Sequence, residues 1–207
     1  MTEPKPQTDN QLKRRMEIVA AAARLFAEQG FNGTSMDDIA KELGILKGSL
    51  YYWIESKEAL LGEVLAGSPM LEEIALGQKI MLRKIPASER LRLMIHAHID
   101  AWTANPHNFS VFLTDWRWLE DEGRDHYFGM RSSLEALFKA VILDGIEAGE
   151  FTVDPADISI LVNCILGMAN WFPRWYRPAG WADPGYIADA MTNLVVAGMC
   201  GARLREG

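Results

Sequence analysis

Cysteine is scarce: Cys164 and Cys200 are the only two in 207 residues. Two thiols cannot build the disulfide framework of a small secreted domain, and neither has a basic sequence neighbour to activate it. Both fall in apolar helical patterns, so they are expected to be buried and reduced, in a cytoplasmic protein. Long hydrophobic runs are missing too. No stretch reaches the roughly 18 to 20 apolar residues of a membrane span. The densest run, Ile158 to Met168, is interrupted by Ser159 and Asn163 and reads as a buried helix, so no membrane partner is expected. The polar N-terminus, with Pro4 and Pro6, has no apolar core for a signal peptide, and residues 1–9 read as a disordered arm.

Histidine numbers four. His96 and His98 stand two apart on a predicted helix, on different faces. His96 and Asp100 have i,i+4 spacing but no third ligand, so no metal site is expected. A glycine-rich phosphate loop, a nucleophile elbow and a zinc signature are all absent. A helical enzyme is therefore a remote reading, with no catalytic residue and no cofactor to name. A basic excess is lacking as well: the net charge is −7. Its distribution qualifies that. Residues 1–60 hold eight Lys/Arg against nine Asp/Glu, whereas the remainder holds thirteen against nineteen. The run Lys13-Arg14-Arg15, with Lys47 and Lys57 flanking a tyrosine pair, can offer phosphates a compact patch on an acidic chain.

What the sequence has in quantity is helical periodicity, with no convincing strand and no repeat. The fold class is all-α, with about nine helices. Leu12, Met16, Val19, Ala23 and Phe26 mark an amphipathic first helix ending at Gly30. Thr34 or Ser35 can N-cap the next, with Asp37 or Asp38 as the reciprocal acid. Its buried face is Met36, Ile39, Ala40 and Leu43. Gly44 stops it, and a short helix follows from about Leu46 to Trp53. Ser56 caps a fourth helix, which Gly67-Ser68-Pro69 kinks or breaks. Later helices are predicted after Pro86, over Phe109 to Leu119, from Arg124 to Ala148, after Pro155 and from about Ile187.

Residues 34–53 carry the clearest constellation. Two short helices that cross steeply need a small residue at the crossing, Ala40, and a turn residue tolerant of positive φ, Gly44. Ile45 and Leu50 then fill the core beneath the second helix. That helix turns Leu46, Lys47, Ser49 and Tyr52 outward, with Gly48 permitting close approach to a DNA groove. The DNA-binding candidates are Thr34, Ser35, Leu46, Lys47, Gly48, Ser49, Tyr51, Tyr52 and Lys57. Caps, hydroxyls and ammonium groups would hold phosphates, although the tyrosines also suit packing between helices.

The stretch Gly48-Ser49-Leu50-Tyr51-Tyr52-Trp53-Ile54-Glu55-Ser56-Lys57-Glu58-Ala59-Leu60-Leu61 resembles the signature of the TetR family of bacterial repressors, over residues 12 to 65. The resemblance implies a homodimer on a palindromic double-stranded operator and a C-terminal domain that releases DNA when a small inducer binds. Three positions depart from the family pattern: Ile54 for a usual Phe, Leu46 for a frequent Ser cap, and Trp53 for a common His. The first is a core substitution, the second removes a helix cap and the third puts one backbone contact in doubt.

Asn170 to Gly180, together with Gly44 to Tyr51 and Gly145 to Phe151, is similar to the branch of this family that answers to acyl-CoA thioesters. The implied inducer is such a thioester. The chemistry is compatible. Arg174 and Arg177, one turn apart, would face phosphates, and Trp171 and Trp175 could stack a base. Trp102, Phe109, Phe112, Trp116, Tyr127 and Met168 could line the acyl cavity. Arg131 is a further candidate, although an ion pair with Asp115 or a neighbouring acid suits it better. Arg174 to Arg177 suit interface packing as well. A drug or an aromatic acid in a Trp-rich pocket is the alternative inducer. Residues 10–55 would read DNA and residues 56–207 would sense and dimerise. Ile165, Ala169, Trp175, Met191, Leu194, Val195 and Gly198 would form a four-helix seam.

Overall fold

A computed structural model describes residues 9–201, and among them every regular element is helical. In chain order these are α1 (Asp9–Gln29), α2 (Met36–Glu42), α3 (Lys47–Tyr51), α4 (Lys57–Ala66) and α5 (Met70–Met81). They continue with α6 (Ala87–Ala104), α7 (Pro106–Thr114), α8 (Asp121–Glu147), α9 (Ile158–Trp175) and α10 (Pro184–Cys200). Two short 3-10 turns, Trp116–Trp118 and Pro155–Asp157, precede α8 and α9. The fourth predicted helix is two helices, α4 and α5. Gly67 takes over as cap of the first, and Pro69 stands just before the second. The predicted arm lies outside the described residues except for Asp9, which already opens α1.

The chain packs as two compact units: residues to Ser68 with His107–Tyr127, and Pro69–Pro106 with the residues from Phe128 onward. In the first unit α1 lies against α2 and α4. Its packed face begins at Ile18 and continues through Ala22, Leu25 and Phe26. Leu12 and Met16, predicted on that face, are exposed. Ile39 and Ala40 of α2, Leu50 of α3, and Leu60, Leu61 and Val64 of α4 complete the core. Each such large apolar side chain contributes about 1.5–3 kcal/mol by leaving water. Arg15 adds a bidentate bond to Glu63, at 2.6 and 2.8 Å, from α1 to α4.

In the second unit α6 packs against α5, α9 and α10. Its N-terminus is capped by a distant side chain. The Glu150 carboxylate accepts the N–H of Ala87 (2.7 Å), the N–H of Ser88 (3.0 Å) and the Ser88 hydroxyl (2.9 Å). Burial alone would raise the Glu150 carboxyl, but these donors hold it below its ordinary range. Arg90 reaches Asp144 of α8 at 2.6 Å, and Arg92 and His96 reach Asp189 of α10 at 3.1 and 2.7 Å. Gly145 is obligatory for a steric reason: a Cβ there would sit 2.2 Å from the Phe151 ring.

By length and composition Pro155–Trp175 could cross a membrane, but α9 buries Ile158, Val162, Ile165, Leu166, Ala169 and Phe172 within its own unit. Both cysteines are exposed, contrary to expectation. Cys164 falls on the outward face of an α9 that is apolar nearly all round. Cys200 ends α10, with its Sγ 3.2 Å from the Glu150 carbonyl.

Candidate nucleic-acid interface and ligand face

The first unit shapes a helix-turn-helix by local chemistry. Ser35 caps α2: its hydroxyl accepts the Asp38 N–H at 3.2 Å, and the Asp38 carboxylate accepts the Ser35 N–H at 2.9 Å. The Ser35 hydroxyl also donates to the Asp38 carboxylate at 2.6 Å, and this bond first, then the one from the Ser35 N–H, holds the Asp38 carboxyl below its usual range. Of the alternatives at this cap, Ser35 with Asp38 forms the pair. Gly44 then turns the chain at φ +64°, where a side chain would be strained. The Ile45 N–H bonds back to the Ala40 carbonyl at 3.0 Å. Leu50 is fully buried beneath α3.

Leu46, Lys47, Gly48 and Ser49 are all exposed on α3, and Tyr51 and Tyr52 follow them into solvent. Leu46 is 79% and Tyr52 77% exposed, which a monomeric core would not require. Leu46 makes no side-chain cap bond, as its departure from Ser suggests. Ile54 is buried, in agreement with a core role.

Two predicted contact residues turn inward instead. Thr34 is 2% exposed, and its hydroxyl donates to the carbonyls of Leu25 and Gly30 at 3.2 and 3.0 Å. Lys57 Nζ donates to the Phe31 and Thr34 carbonyls, at 2.9 Å each, and sits 4.2 Å from the Phe31 ring centroid. Both close the turn between α1 and α2. The basic run is also partly committed: Arg15 pairs with Glu63, and Arg14 with Glu17 at 2.7 Å.

The same turn is braced by residues far along the chain, a feature that sequence spacing did not show. Trp118 stacks on Phe31 with ring centroids 6.0 Å apart. Asp115 accepts the Phe31 backbone N–H, and burial raises its carboxyl above the ordinary value despite that bond. Of the acids expected to pair with Arg131, it is the neighbouring Glu135 and not Asp115 that does so, at 3.0 Å, one turn along α8.

The predicted ligand residues divide between the units. Phe109, Phe112, Trp116 and Tyr127 form one aromatic cluster in the first unit. Phe112 and Trp116 lie 4.6 and 5.5 Å from the Tyr127 ring, and Phe109, Phe112 and Tyr127 are buried there as core. Trp102 is buried on α6 in the second unit. The end of α9 is different. Trp171, 62% exposed, carries the Arg174 guanidinium 5.7 Å from its ring centroid. Trp175 is exposed beside them, and Arg177 donates to the Tyr176 carbonyl at 2.8 Å. Trp175 also lines an apolar cleft of about 380 Å³, together with Met168, Trp181, Tyr186, Ile187, Met191 and Leu194 among others.

Of the predicted seam residues, Ile165, Ala169 and Met191 are buried within the protomer. The inward phase of α9 and α10 carries them toward their own core, although Ile165 and Met191 still line clefts. Trp175, Leu194 and Gly198 are exposed and Val195 is half-buried.

Residues 18–64 match the family described as bacterial regulatory proteins, tetR family, and residues 84–199 match the tetracyclin repressor-like C-terminal domain. The HTH-type transcriptional repressor KstR2 of Rhodococcus jostii is 27% identical over 198 residues, 95% of this chain and 96% of that protein. The fatty acid metabolism regulator protein of Bacillus subtilis is 24% identical over 89% of this chain and 94% of its own. Among solved structures, KstR2 of Mycobacterium tuberculosis superposes with a TM-score of 0.83 at 26% identity, covering 95% of this chain and 98% of that one. AibR in complex with isovaleryl coenzyme A and operator DNA superposes with a TM-score of 0.74 at 25% identity, covering 87% and 97%. With both halves matched, the chain belongs to the tetR family of bacterial regulators and is a helix-turn-helix transcriptional regulator, not an enzyme.

Proposed function

We propose that this repressor works in the cytoplasm as a homodimer and leaves a palindromic operator when an acyl-CoA thioester binds its second unit. The observation that carries the ligand class is the exposed Arg174–Trp171 pair on the last turns of a helix whose Trp175 lines an apolar cleft. A thioester of this kind needs a cation for phosphate, an aromatic plane for adenine and an apolar trough for the acyl chain. The end of α9 offers these side by side on a chain of net charge −7. AibR, crystallised with isovaleryl coenzyme A, supports the same class.

Reading of DNA falls to the exposed residues of α3, with Lys47 and the two tyrosines near phosphates and Leu46 and Ser49 toward base edges. The homodimer is supported by the outward faces of α9 and α10. Ile160, Trp171 and Leu194 are exposed there beside Gly167 and Gly198. Apolar side chains interspersed with glycines suit helices that meet closely across a two-fold axis. Inducer binding would then move the two recognition helices away from a separation of about 34–36 Å, one DNA turn.

The test is thermal melting of the full chain with acyl-CoAs, free CoA, free acids and cationic drugs. A ligand that binds only the folded state at about 100 times its Kd adds about 2.7 kcal/mol. A rise of several degrees with thioesters, absent with free CoA and drugs and lost in Arg174→Ala, is the expected outcome. A rise with a drug or aromatic acid alone would leave the repressor standing and overturn the thioester.

A further inference from the structure

One carboxylate in the second unit is out of keeping with its surroundings. The inner face of α5 is Met70, Glu73, Ile74, Gly77 and Ile80, so an acid stands in an otherwise apolar row. The Glu73 side chain is 2% exposed, and its Oε1 lies 2.7 Å from Nδ1 of His98, equally buried on α6. His98 Nε2 lies 3.0 Å from Asn170 Oδ1 on α9. An imidazolium, donating from both ring nitrogens, suits these two oxygen atoms. Its positive charge balances the carboxylate. Oε2 of Glu73 is also buried but meets no hydrogen-bond donor among the described residues.

We infer that Glu73 is a specificity residue of the sensing site: its Oε2 accepts the O–H of a hydroxyl carried on the acyl part of the inducer. This deepens, and rests on, the thioester reading above. A buried carboxylate oxygen is left almost always bonded in folded proteins, and an unfilled one favours any ligand that brings a donor. The charge balance selects the kind of donor. With His98 already neutralising Glu73, a cationic amine would bring a second positive charge into an apolar setting, whereas an alcohol brings a proton donor and no charge. A site built to bond a hydroxyl also rejects the analogue that lacks it, because the acceptor is then left unpaired. The hydroxyl is thus a selected feature of the inducer, and a saturated acyl chain of the same length is a poor substitute.

The experiment titrates the full chain with decanoyl-CoA, 3-hydroxydecanoyl-CoA and 10-hydroxydecanoyl-CoA, in wild type and in Glu73→Gln. The expected result is that one hydroxylated thioester binds at least about tenfold more tightly than decanoyl-CoA, a modest gain for one charged hydrogen bond. Glu73→Gln should close that gap. Equal binding of all three by wild type, or a gap that survives in Glu73→Gln, overturns the inference and leaves the thioester reading intact. Failure of all three to bind overturns both. Should the variant not fold, 15N-histidine NMR of the wild type decides. The Nδ1–H resonance of His98 should move with the favoured hydroxylated thioester and not with decanoyl-CoA, and identical responses overturn the assignment.

Discussion

Two clusters of inward-turned polar side chains, one in each unit, are held in opposite ways. In the DNA-reading unit, Thr34, Lys57 and Asp115 all bond backbone groups of the α1–α2 turn and its approach. In the sensing unit, Glu73, His98 and Asn170 bond one another, side chain to side chain, across three helices. Backbone partners hold one geometry whatever the pH or ligand. Side-chain partners can be reprotonated or offered a competing bond. The first arrangement suits a rigid reading head and the second a site that responds.

The largest expected effect breaks the second arrangement. His98→Ala strands the Glu73 carboxylate in the core and should cost about 3–5 kcal/mol of stability in urea unfolding. A loss below about 1 kcal/mol would mean that the pair is not buried as the structure has it. The pair also sets a pH dependence. Burial opposes the His98 proton, but the charge and bonds of Glu73 outweigh it, so the folded pKa is raised. The folded state then holds a proton that the unfolded chain releases. Stability is full below the unfolded histidine value of about 6.5 and falls as pH rises through the higher folded one. The paired variant Glu73→Gln with His98→Gln should flatten that alkaline fall.

Next comes the proposed dimer face. Leu194 is 67% exposed on α10. Leu194→Asp should leave the protomer folded yet shift sedimentation from dimer to monomer and abolish operator binding, because one recognition helix alone forfeits half of the site. Unchanged sedimentation would move the seam elsewhere.

A smaller effect sharpens the contrast within the reading unit. Lys57→Met frees two carbonyls and should cost about 1–3 kcal/mol. The slope of operator affinity against salt should barely move, since the ammonium is spent on the protein. Lys47→Ala should do the reverse: no change in stability, and a salt slope smaller by about 1. A reduced slope in Lys57→Met would return that residue to the phosphates.

The same contrast explains what the sequence made legible. The helix-turn-helix is built from near neighbours: Ser35 with Asp38, Ala40 with Gly44, Leu50 five residues beyond Ile45. Spacing alone therefore places its elements, and the exposed residues of α3 follow from the phase of Leu50. Lys57 and Thr34 were misplaced because their partners are carbonyls of a turn, which no side-chain pattern announces. The brace of Trp118 and Asp115 on Phe31 spans more than eighty residues and leaves no periodic trace. In the sensing unit, apolar periodicity located α9 and α10 but not which of two apolar faces turns inward. Ile165, Ala169 and Met191 were assigned outward for that reason, and the cysteines inward. Glu73 stood unremarked because an acid in a helical sequence ordinarily reads as solvated, and its partner lies twenty-five residues away.

The smallest effect tests the one place where the reading unit lacks a local bond. Leu46 stands at the N-cap of α3 with its side chain in solvent and no hydroxyl to accept a helix N–H. Leu46→Ser restores that acceptor at a position whose backbone is already extended, φ −72° and ψ 142°. The gain should be about 1 kcal/mol, seen as slower hydrogen exchange of the α3 amides, with the amides of α5, α6 and α9 unaffected. If Leu46 also reaches the operator, the same substitution weakens binding while it stabilises the helix. The two effects then carry opposite signs, and capping and DNA contact at this residue can be separated in a single variant.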